Sequence, residues 1–317
     1  MPVKSKSNEL KLTRVYNAPL KAVWEAWTDP DKAAKWWGPR GHHITTDSKD
    51  VRTGGHWKYT MYGPNGEEWP TVTKYLEVIE HQKLVYDHGG NDERPPLFRV
   101  TVLFSEENGK TRMDMTMALE SPERAEEIAK HIKNVGGNST WDRLDEYLEK
   151  DLHGEEKFCI NRSFNCSQEK MFELWTSADH IAKWMSPTGT TMEFIRSDIR
   201  AGGTSFYCMT VPDVMKMYGR IQYLEINKPN QIVYLQNFCD ANENVTRHPM
   251  SPTWPETMKT VIDFASEGPD QCRVTINWTT HGTVTPEEMT TFTEGRPGMT
   301  VGWTGSLDKL ESYVESH

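Results

Sequence analysis

The sequence repeats itself at a constant offset of 148 residues, and this repeat constrains the fold more than any single motif does. The segment Trp24-Glu25-Ala26-Trp27-Thr28 returns as Phe172-Glu173-Leu174-Trp175-Thr176, and Asp50-Val51-Arg52-Thr53-Gly54-Gly55 returns as Asp198-Ile199-Arg200-Ala201-Gly202-Gly203. Over residues 14–86 the offset holds without a gap, and about 22 of the 73 aligned positions are identical, where composition alone gives roughly 5. The chain therefore contains two copies of one domain, and residues in one copy have an internal control in the other.

The length of the chain fits this division. Its 317 residues make two domains of ordinary size, each able to bury its own core. We place the first domain at residues 1–151 and the second at residues 152–317, with a polar linker at residues 151–156.

Composition narrows the functional class. The net charge is −10 and no basic stripe is present to follow a phosphate backbone, so no nucleic-acid partner is expected. No apolar run reaches the roughly 18 residues of a membrane span, and the polar residues 1–8 do not resemble a secretory signal. The five cysteines are odd in number and all lie in the second half, which disfavours a disulfide framework and indicates a cytoplasmic protein.

One copy has the pattern of a strand, two short helices, six more strands and a long helix. Residues 9–16 alternate in polarity, and apolar residues then recur at helical spacing up to Trp27. The start Ser121-Pro122-Glu123 predicts a helix that runs toward Leu148, with a break at Gly136-Gly137. Because strands joined by hairpins form an antiparallel sheet, the predicted class is α+β, with the last helix covering one face. The six strands are expected at Thr45–Arg52, His56–Met61, Thr71–Ile79, Lys83–Asp87, Leu97–Phe104 and Thr111–Leu119.

These segments resemble a known domain family. The run Asn17-Ala18-Pro19, Val23–Pro30 and Trp36-Trp37-Gly38-Pro39, followed by the Asp50–Gly55 segment, is similar to the activator of Hsp90 ATPase homologue 1-like (AHSA1-like) domain. That family belongs to the START-like, or SRPBCC, ligand-binding superfamily. The second copy is similar through Pro252-Thr253-Trp254-Pro255 and Gly302–Leu310, so the two matches cover nearly the whole chain.

The resemblance implies two tandem helix-grip domains. In this fold a curved antiparallel sheet of about six to seven strands wraps around a long C-terminal helix, with a cavity between them. In the superfamily that cavity holds lipids, sterols, polyketides or other apolar molecules, so a small apolar ligand and no cofactor are expected. The sequence departs from the family in two ways. A separate Hsp90-binding domain is not expected before Leu10, and Thr71 stands where the second copy has Gly219, the usual residue, so that strand is expected to run differently.

Apolar side chains on one face of the sheet are the first candidates for a cavity wall. Trp57, Tyr59 and Met61 share one face of a strand. An ordinary packed core requires apolar side chains on that face just as a cavity wall does. Trp57 stands opposite the small Ser205, so the two cavities hold different ligands or one of them is filled. Trp36 and Trp184 are a duplicated tryptophan at the end of the second helix of each copy. Each either anchors the short helices in the core or lies at the rim of the cavity. The candidates are Trp36, Trp57, Tyr59, Met61, Trp184, Tyr207, Met209 and Trp254.

Polar candidates are fewer. Arg52 and Arg200 each lie two residues after an aspartate on a predicted strand, where the pair is structural or the arginine holds a ligand carboxylate. Histidines between residues 42 and 88 have no histidine at the matching positions of the second copy, which argues against an inherited metal or acid–base centre. The sequence has no zinc-protease, C-x-x-C, G-x-S-x-G or P-loop motif, so no metal site and no catalytic residue is predicted. Arg52, Arg200 and His281 are the polar cavity candidates.

The clearest difference between the copies is an insertion. The segment Asn237–Met258 is about a dozen residues longer than its counterpart, and loops of this length are surface loops or lids over a binding site. It carries three prolines and Trp254.

The sequence favours a non-enzymatic protein that binds a small, mostly apolar molecule, with the second copy the more selective. Two alternatives stay open. One is an interaction module with a protein partner, such as an Hsp90-activator-like chaperone partner. The other is an enzyme of the cyclase or hydrolase type, which needs a titratable residue inside a cavity, from the set Arg52, Arg200, Asp198, His281 and Tyr207.

Overall fold

A computed structural model describes residues 7–91, 94–134 and 139–316. The chain divides into two units, residues 1–154 and residues 155–317. Each unit contains one seven-stranded antiparallel sheet with its own helices, which confirms the α+β class and the two tandem helix-grip domains.

The first domain follows the predicted order of elements. Its chain passes from β1 at one sheet edge to β2 at the opposite edge through α1 and α2, and then returns strand by strand in the order β1-β7-β6-β5-β4-β3-β2. The predicted break at Gly136-Gly137 lies outside the described residues. The strands are β1 (Glu9–Tyr16), β2 (His43–Lys49), β3 (His56–Tyr62), β4 (Glu68–Ile79), β5 (Lys83–Gly90), β6 (Phe98–Glu107) and β7 (Lys110–Ala118). The helices are α1 (Leu20–Thr28), α2 (Pro30–Trp36), α3 (Pro122–Asn134) and α4 (Ser139–His153).

The second domain repeats this topology, with the sheet order β8-β14-β13-β12-β11-β10-β9. Its last helix is the longest described in the chain, and none of the described helices is long and apolar enough to cross a membrane. The strands are β8 (Lys157–Phe164), β9 (Thr191–Arg196), β10 (Thr204–Val211), β11 (Met215–Asn227), β12 (Gln231–Cys239), β13 (Met258–Gly268) and β14 (Gln271–Thr280). The helices are α5 (Gln168–Thr176), α6 (Ala178–Trp184), α7 (Pro286–Glu294) and α8 (Arg296–Glu315).

Local sequence sets where the helices begin. The Asp29 side chain accepts hydrogen bonds from the backbone N–H groups of Asp31 and Lys32, and Pro30 takes the first helical position, so α2 starts there. Helix α7 begins with a capping box, in which Thr285 and Glu288 each bond to the other's backbone N–H.

The prediction that β2 extends to Arg52 is wrong, since the strand ends at Lys49. Residues 50–55 form a tight turn in which the Gly55 N–H donates to the Arg52 carbonyl at 2.8 Å. A Cβ on Gly55 would lie 2.2 Å from the Asp50 carbonyl oxygen, so only glycine fits here. In the second domain β9 also ends before the turn, and Gly203 meets the same restriction from Asp198.

A buried arginine fastens the last helix of the first domain to β1. The Arg14 guanidinium donates to the carboxylates of Asp142 and Asp145, each at 2.9 Å, and its side chain is fully buried. The matching Arg162 pairs with Asp308 at 2.5 Å, but there the carboxylate is half exposed. The same sheet-to-helix contact is therefore buried in one copy and near solvent in the other.

Candidate ligand cavity

The second domain contains a cavity of about 470 Å³ between the concave face of its sheet and helix α8. Sites for small molecules in proteins commonly measure about 300–1,000 Å³, so this cavity is large enough for a ligand. Most of the wall is apolar. The sheet contributes Tyr207, Met209, Met217, Ile221, Tyr234, Gln236, Phe238 and Trp278.

Small residues on and just before α8 leave the space open. Gly295, Gly298, Gly302 and Ser306 recur three or four residues apart, so they share one helix face, and all four line the cavity. A Cβ built on Gly298 or Gly302 meets no atom within 4 Å. Gly305 differs, since its Cβ would lie 2.6 Å from Thr188 Oγ1. Glycine is thus explained by packing at Gly305, whereas at Gly302 it faces empty volume.

The insertion between β12 and β13 forms part of the cavity wall. His248, Ser251 and Trp254 of this loop all line the cavity. The Trp254 ring lies 6.0 Å from that of Phe292 in α7 and 6.3 Å from that of His248. The loop is therefore packed against the body of the domain.

Two polar contacts tie the loop to α7. Arg247 donates to the Glu288 carboxylate at 2.5 Å and to the Trp254 carbonyl at 3.3 Å. The hydroxyls of Thr253 and Thr291 are 2.8 Å apart. The loop is thus held against α7, along one side of the cavity.

The polar side chains that line the cavity include Tyr207 and Gln236 on the sheet. Tyr207 pairs across strands with Gly219, and its ring lies directly over that glycine: a Cβ on Gly219 would be 2.3 Å from both Cζ and Oη of Tyr207. Burial raises the pKa of Tyr207 above its ordinary value, so the phenol is neutral at physiological pH. Burial lowers the pKa of His248. Among the described residues that line the cavity, none is Asp, Glu, Lys or Arg.

The first domain has a smaller cavity in the corresponding place, of about 180 Å³. Large aromatic side chains fill the rest of the space. The Trp57 ring packs 4.9 Å from that of Trp37 and 4.5 Å from that of Tyr59, measured between ring centres. At the matching positions the second domain has Ser205 and Met185, which occupy far less volume.

The polar positions of the first cavity already have partners within the domain. The Tyr59 hydroxyl, which matches that of Tyr207, accepts a hydrogen bond from the Trp37 indole N–H at 3.1 Å. His88, which matches Gln236, lies 3.4 Å from the Thr73 hydroxyl and stacks on Phe98. Burial lowers the pKa of His88 to about 4, so it is neutral at physiological pH.

The expected departure at Thr71 is visible in the strand pairing. Thr71 pairs with Tyr59 just as Gly219 pairs with Tyr207. Immediately beyond it, however, the register between β4 and β5 shifts between Val72 and Lys74, whereas the second domain pairs regularly there.

The structure separates the sequence candidates into two groups. Met61 lines the smaller cavity, and Tyr207, Met209 and Trp254 line the larger one. Trp36 and Trp184 lie in the two cores, fully buried, with their indole N–H groups bonded to the carbonyls of Ala26 and Leu174. Trp57 and Tyr59 also belong to the core.

The polar candidates lie away from the cavities. Arg52 and Arg200 stand in the exposed Gly-Gly turns, each paired with its neighbouring aspartate, because the strands end before reaching them. His281 is exposed, just past the end of β14. No group of three His, Cys, Asp or Glu within the described ranges is placed to hold a metal ion.

The sequence did not predict Gln236 as a cavity residue. It also did not predict the open helix face, which is the side of α8 that carries Gly298, Gly302 and Ser306, with Gly295 just before the helix. Gln236 occupies the position that matches His88 in the repeat, and a glutamine at that position does not by itself indicate a cavity. The spacing of Gly295, Gly298, Gly302 and Ser306 was a readable signal, since small residues three and four apart on a helix leave a groove.

The chain is similar to one family of known domains and to several solved structures. The family model described as Activator of Hsp90 ATPase homolog 1-like protein matches residues 17–149 and 165–315. A solved structure from Nitrosomonas europaea is 22% identical, with a TM-score of 0.42, over 48% of this chain and 99% of that one. One from Staphylococcus epidermidis is 24% identical, with a TM-score of 0.42, over 48% and 96% respectively. The AHSA1 protein from Silicibacter pomeroyi is 16% identical, with a TM-score of 0.40, over 51% and 99%.

A search of the curated proteins gave no match. The family model, by contrast, matches most of the chain in two consecutive regions, one in each domain. The chain belongs to the activator of Hsp90 ATPase homologue 1-like family.

Proposed function

We propose that this protein binds a small, mostly apolar molecule in the cavity of its second domain. The observation that carries the proposal is the cavity of about 470 Å³, walled by methionine, aromatic and isoleucine side chains and left open by glycines of α8. Removing apolar surface from water favours binding by about 25 cal/mol per Å², so an apolar ligand that fills this volume gains most of its affinity from burial. The first domain, with about 180 Å³, falls below the usual size of such sites.

Catalysis is less well supported, because four of the five residues that an enzyme would need stand outside both cavities. Arg52, Arg200 and Asp198 stand in exposed turns and His281 is exposed. Tyr207 lines the cavity, but burial raises its pKa, which disfavours its ionised form as a general base.

Titration with the neutral fluorescent dye N-phenyl-1-naphthylamine tests the proposal. We expect saturable binding to one site per chain, with blue-shifted emission, and a co-purified molecule in extracts analysed by native mass spectrometry. Met209→Trp fills the large cavity and is expected to abolish binding. Met61→Trp, the change at the matching position of the first domain, is expected to leave binding intact.

Two outcomes contradict the proposal. One is the absence of both saturable dye binding and an extracted molecule. The other is loss of binding in Met61→Trp rather than Met209→Trp, which would place the site in the first domain.

A further inference from the structure

We propose that the cavity of the second domain selects a neutral ligand that carries one hydrogen-bonding group, such as a ketone, amide or alcohol, held by Tyr207 and Gln236. This inference rests on the proposed ligand binding and adds the chemical class of the ligand. Four features support it: the position of Tyr207, the free capacity of both side chains, the contrast with the first domain, and the absence of charge in the described cavity wall.

Gly219 positions the Tyr207 hydroxyl in the middle of the sheet. The ring crosses Gly219, which lies on β11 between Tyr207 on β10 and Phe238 on β12. Any side chain at residue 219 would occupy the place of the phenol. The glycine therefore lets the hydroxyl lie over the concave face near Gln236, and both side chains also line a small adjoining crevice of about 10 Å³.

Both groups have hydrogen-bonding capacity to offer. No hydrogen-bond partner is found for the Tyr207 hydroxyl or for the Gln236 side-chain amide among the described residues. A polar group enclosed in an apolar cavity is costly unless it is hydrogen-bonded, so a ligand that supplies the partner is favoured over a pure hydrocarbon. The hydroxyl can donate or accept, and the amide can do both.

In the first domain, the residues at the positions of Tyr207 and Gln236 have partners within the protein. There Tyr59 accepts from the Trp37 indole, and His88 lies within hydrogen-bonding distance of Thr73. Replacement of Trp37 by Met185 in the second domain removes the internal donor and leaves the phenol available.

The charge of the wall limits the ligand. Because no described lining residue is Asp, Glu, Lys or Arg, a ligand carboxylate or ammonium would lose its hydration without gaining a counter-ion. Burial also favours the neutral form of His248. A neutral ligand meets no such penalty.

Three naphthalenes of nearly equal shape test this assignment by displacement of N-phenyl-1-naphthylamine. They are 2-acetylnaphthalene, a neutral acceptor; 2-isopropenylnaphthalene, its hydrocarbon counterpart; and 2-naphthoate, an anion. We expect Tyr207→Phe and Gln236→Leu each to weaken the ketone by roughly three- to tenfold and to leave the hydrocarbon within about twofold. The anion is expected to bind most weakly of the three to the unmodified protein.

Two further variants guard the interpretation. Gly219→Ala pushes the Tyr207 ring out of place while keeping the hydroxyl, and is expected to weaken the ketone selectively as well. Tyr59→Phe removes the matching hydroxyl of the first domain and is expected to change none of the three affinities. Protection of the buried cysteines from a thiol reagent verifies that the second domain of each variant is folded.

The outcomes separate this inference from the proposed function. If the substitutions change ketone and hydrocarbon affinity equally or not at all, or if the anion binds tightest, the neutral polar subsite is overturned while ligand binding stands. If neither the dye nor any of the three compounds binds, both are overturned.

Discussion

Substitutions of Gly302 test the cavity most directly. A small side chain at this position is expected to stabilise the domain, whereas a large one is expected to block the cavity. Gly302 lies inside α8 and lines the cavity, and a Cβ there meets no atom within 4 Å. Glycine inside a helix costs about 1 kcal/mol relative to alanine. Gly302→Ala is therefore expected to raise the free energy of unfolding of the second domain by about 1 kcal/mol, or its Tm by roughly 2–4 °C.

Gly305 is the matched control on the same helix. Its Cβ would lie 2.6 Å from Oγ1 and 3.0 Å from the backbone nitrogen of Thr188. Forcing an extra atom into a filled site costs about 1–3 kcal/mol, which exceeds the same gain in helix propensity. Gly305→Ala is thus expected to lower the free energy of unfolding.

The cysteines provide a domain-specific assay. All five lie in the second domain and four of them are buried, so their reaction with a thiol reagent at increasing urea concentration reports the unfolding of that domain. Gly302→Leu completes the series, since its side chain enters the cavity and is expected to abolish dye binding without unfolding the domain. Destabilisation by Gly302→Ala comparable to that of Gly305→Ala, or unchanged dye affinity in Gly302→Leu, would refute the open helix face.

Three further predictions concern contacts outside that helix face. Arg14→Met leaves two buried carboxylates without their shared cation and is expected to cost about 3–5 kcal/mol in urea unfolding, whereas Arg162→Met costs about 1 kcal/mol or less; equal costs would contradict the burial difference. Burial lowers the pKa of His88 from 6.5 in the unfolded chain to about 4 in the folded domain. The free energy of unfolding of the first domain is therefore expected to fall by about 3 kcal/mol as the pH falls from 6.5 to 4. Unfolding monitored by tryptophan fluorescence is expected to show this loss in the unmodified protein and not in His88→Gln. Arg247→Ala releases the loop from Glu288, and stopped-flow dye release is expected to be several-fold faster; an unchanged rate would mean that the loop does not cover the exit.

The repeat and the polarity pattern predicted the order of elements because these depend on local periodicity. The end of β2 was placed too far along, since alternation continues through Asp50 and Arg52 although the backbone has already entered the turn imposed by Gly55. The predicted apolar face of β3 agrees with the structure, since Trp57 and Tyr59 are buried in the core and Met61 lines the smaller cavity. The sequence does not predict which residues of that face line a cavity, because the burial of Trp57 and Tyr59 depends on contacts with residues of other elements, such as Trp37.

The loop between β12 and β13 was located well from the sequence alone, because aligning the two copies shows directly that the second has an insertion there. Its role as a wall depended on Trp254 reaching Phe292 and on Arg247 reaching Glu288, contacts between segments far apart in the chain. Spacing within a segment carries no information about such pairs. Gln236 was not predicted for the same reason, since whether its amide has a hydrogen-bond partner among the described residues depends on the side chains that the fold places around it.

Comparison of the two domains indicates that the larger cavity is a maintained feature and not a by-product of packing. In the first domain, Trp37, Trp57 and Tyr59 show that this fold can fill most of the space and satisfy its polar groups internally. The second domain keeps a glycine on α8 that a stabilising alanine could replace without a clash, and leaves its cavity unfilled where contacts would otherwise add stability. Filling both cavities would add stability to the fold. Gly298 and Gly302 on the cavity side of α8, the glycine that admits the Tyr207 ring and the loop that lines one side are all consistent with the proposed ligand, which would supply the missing contacts when bound.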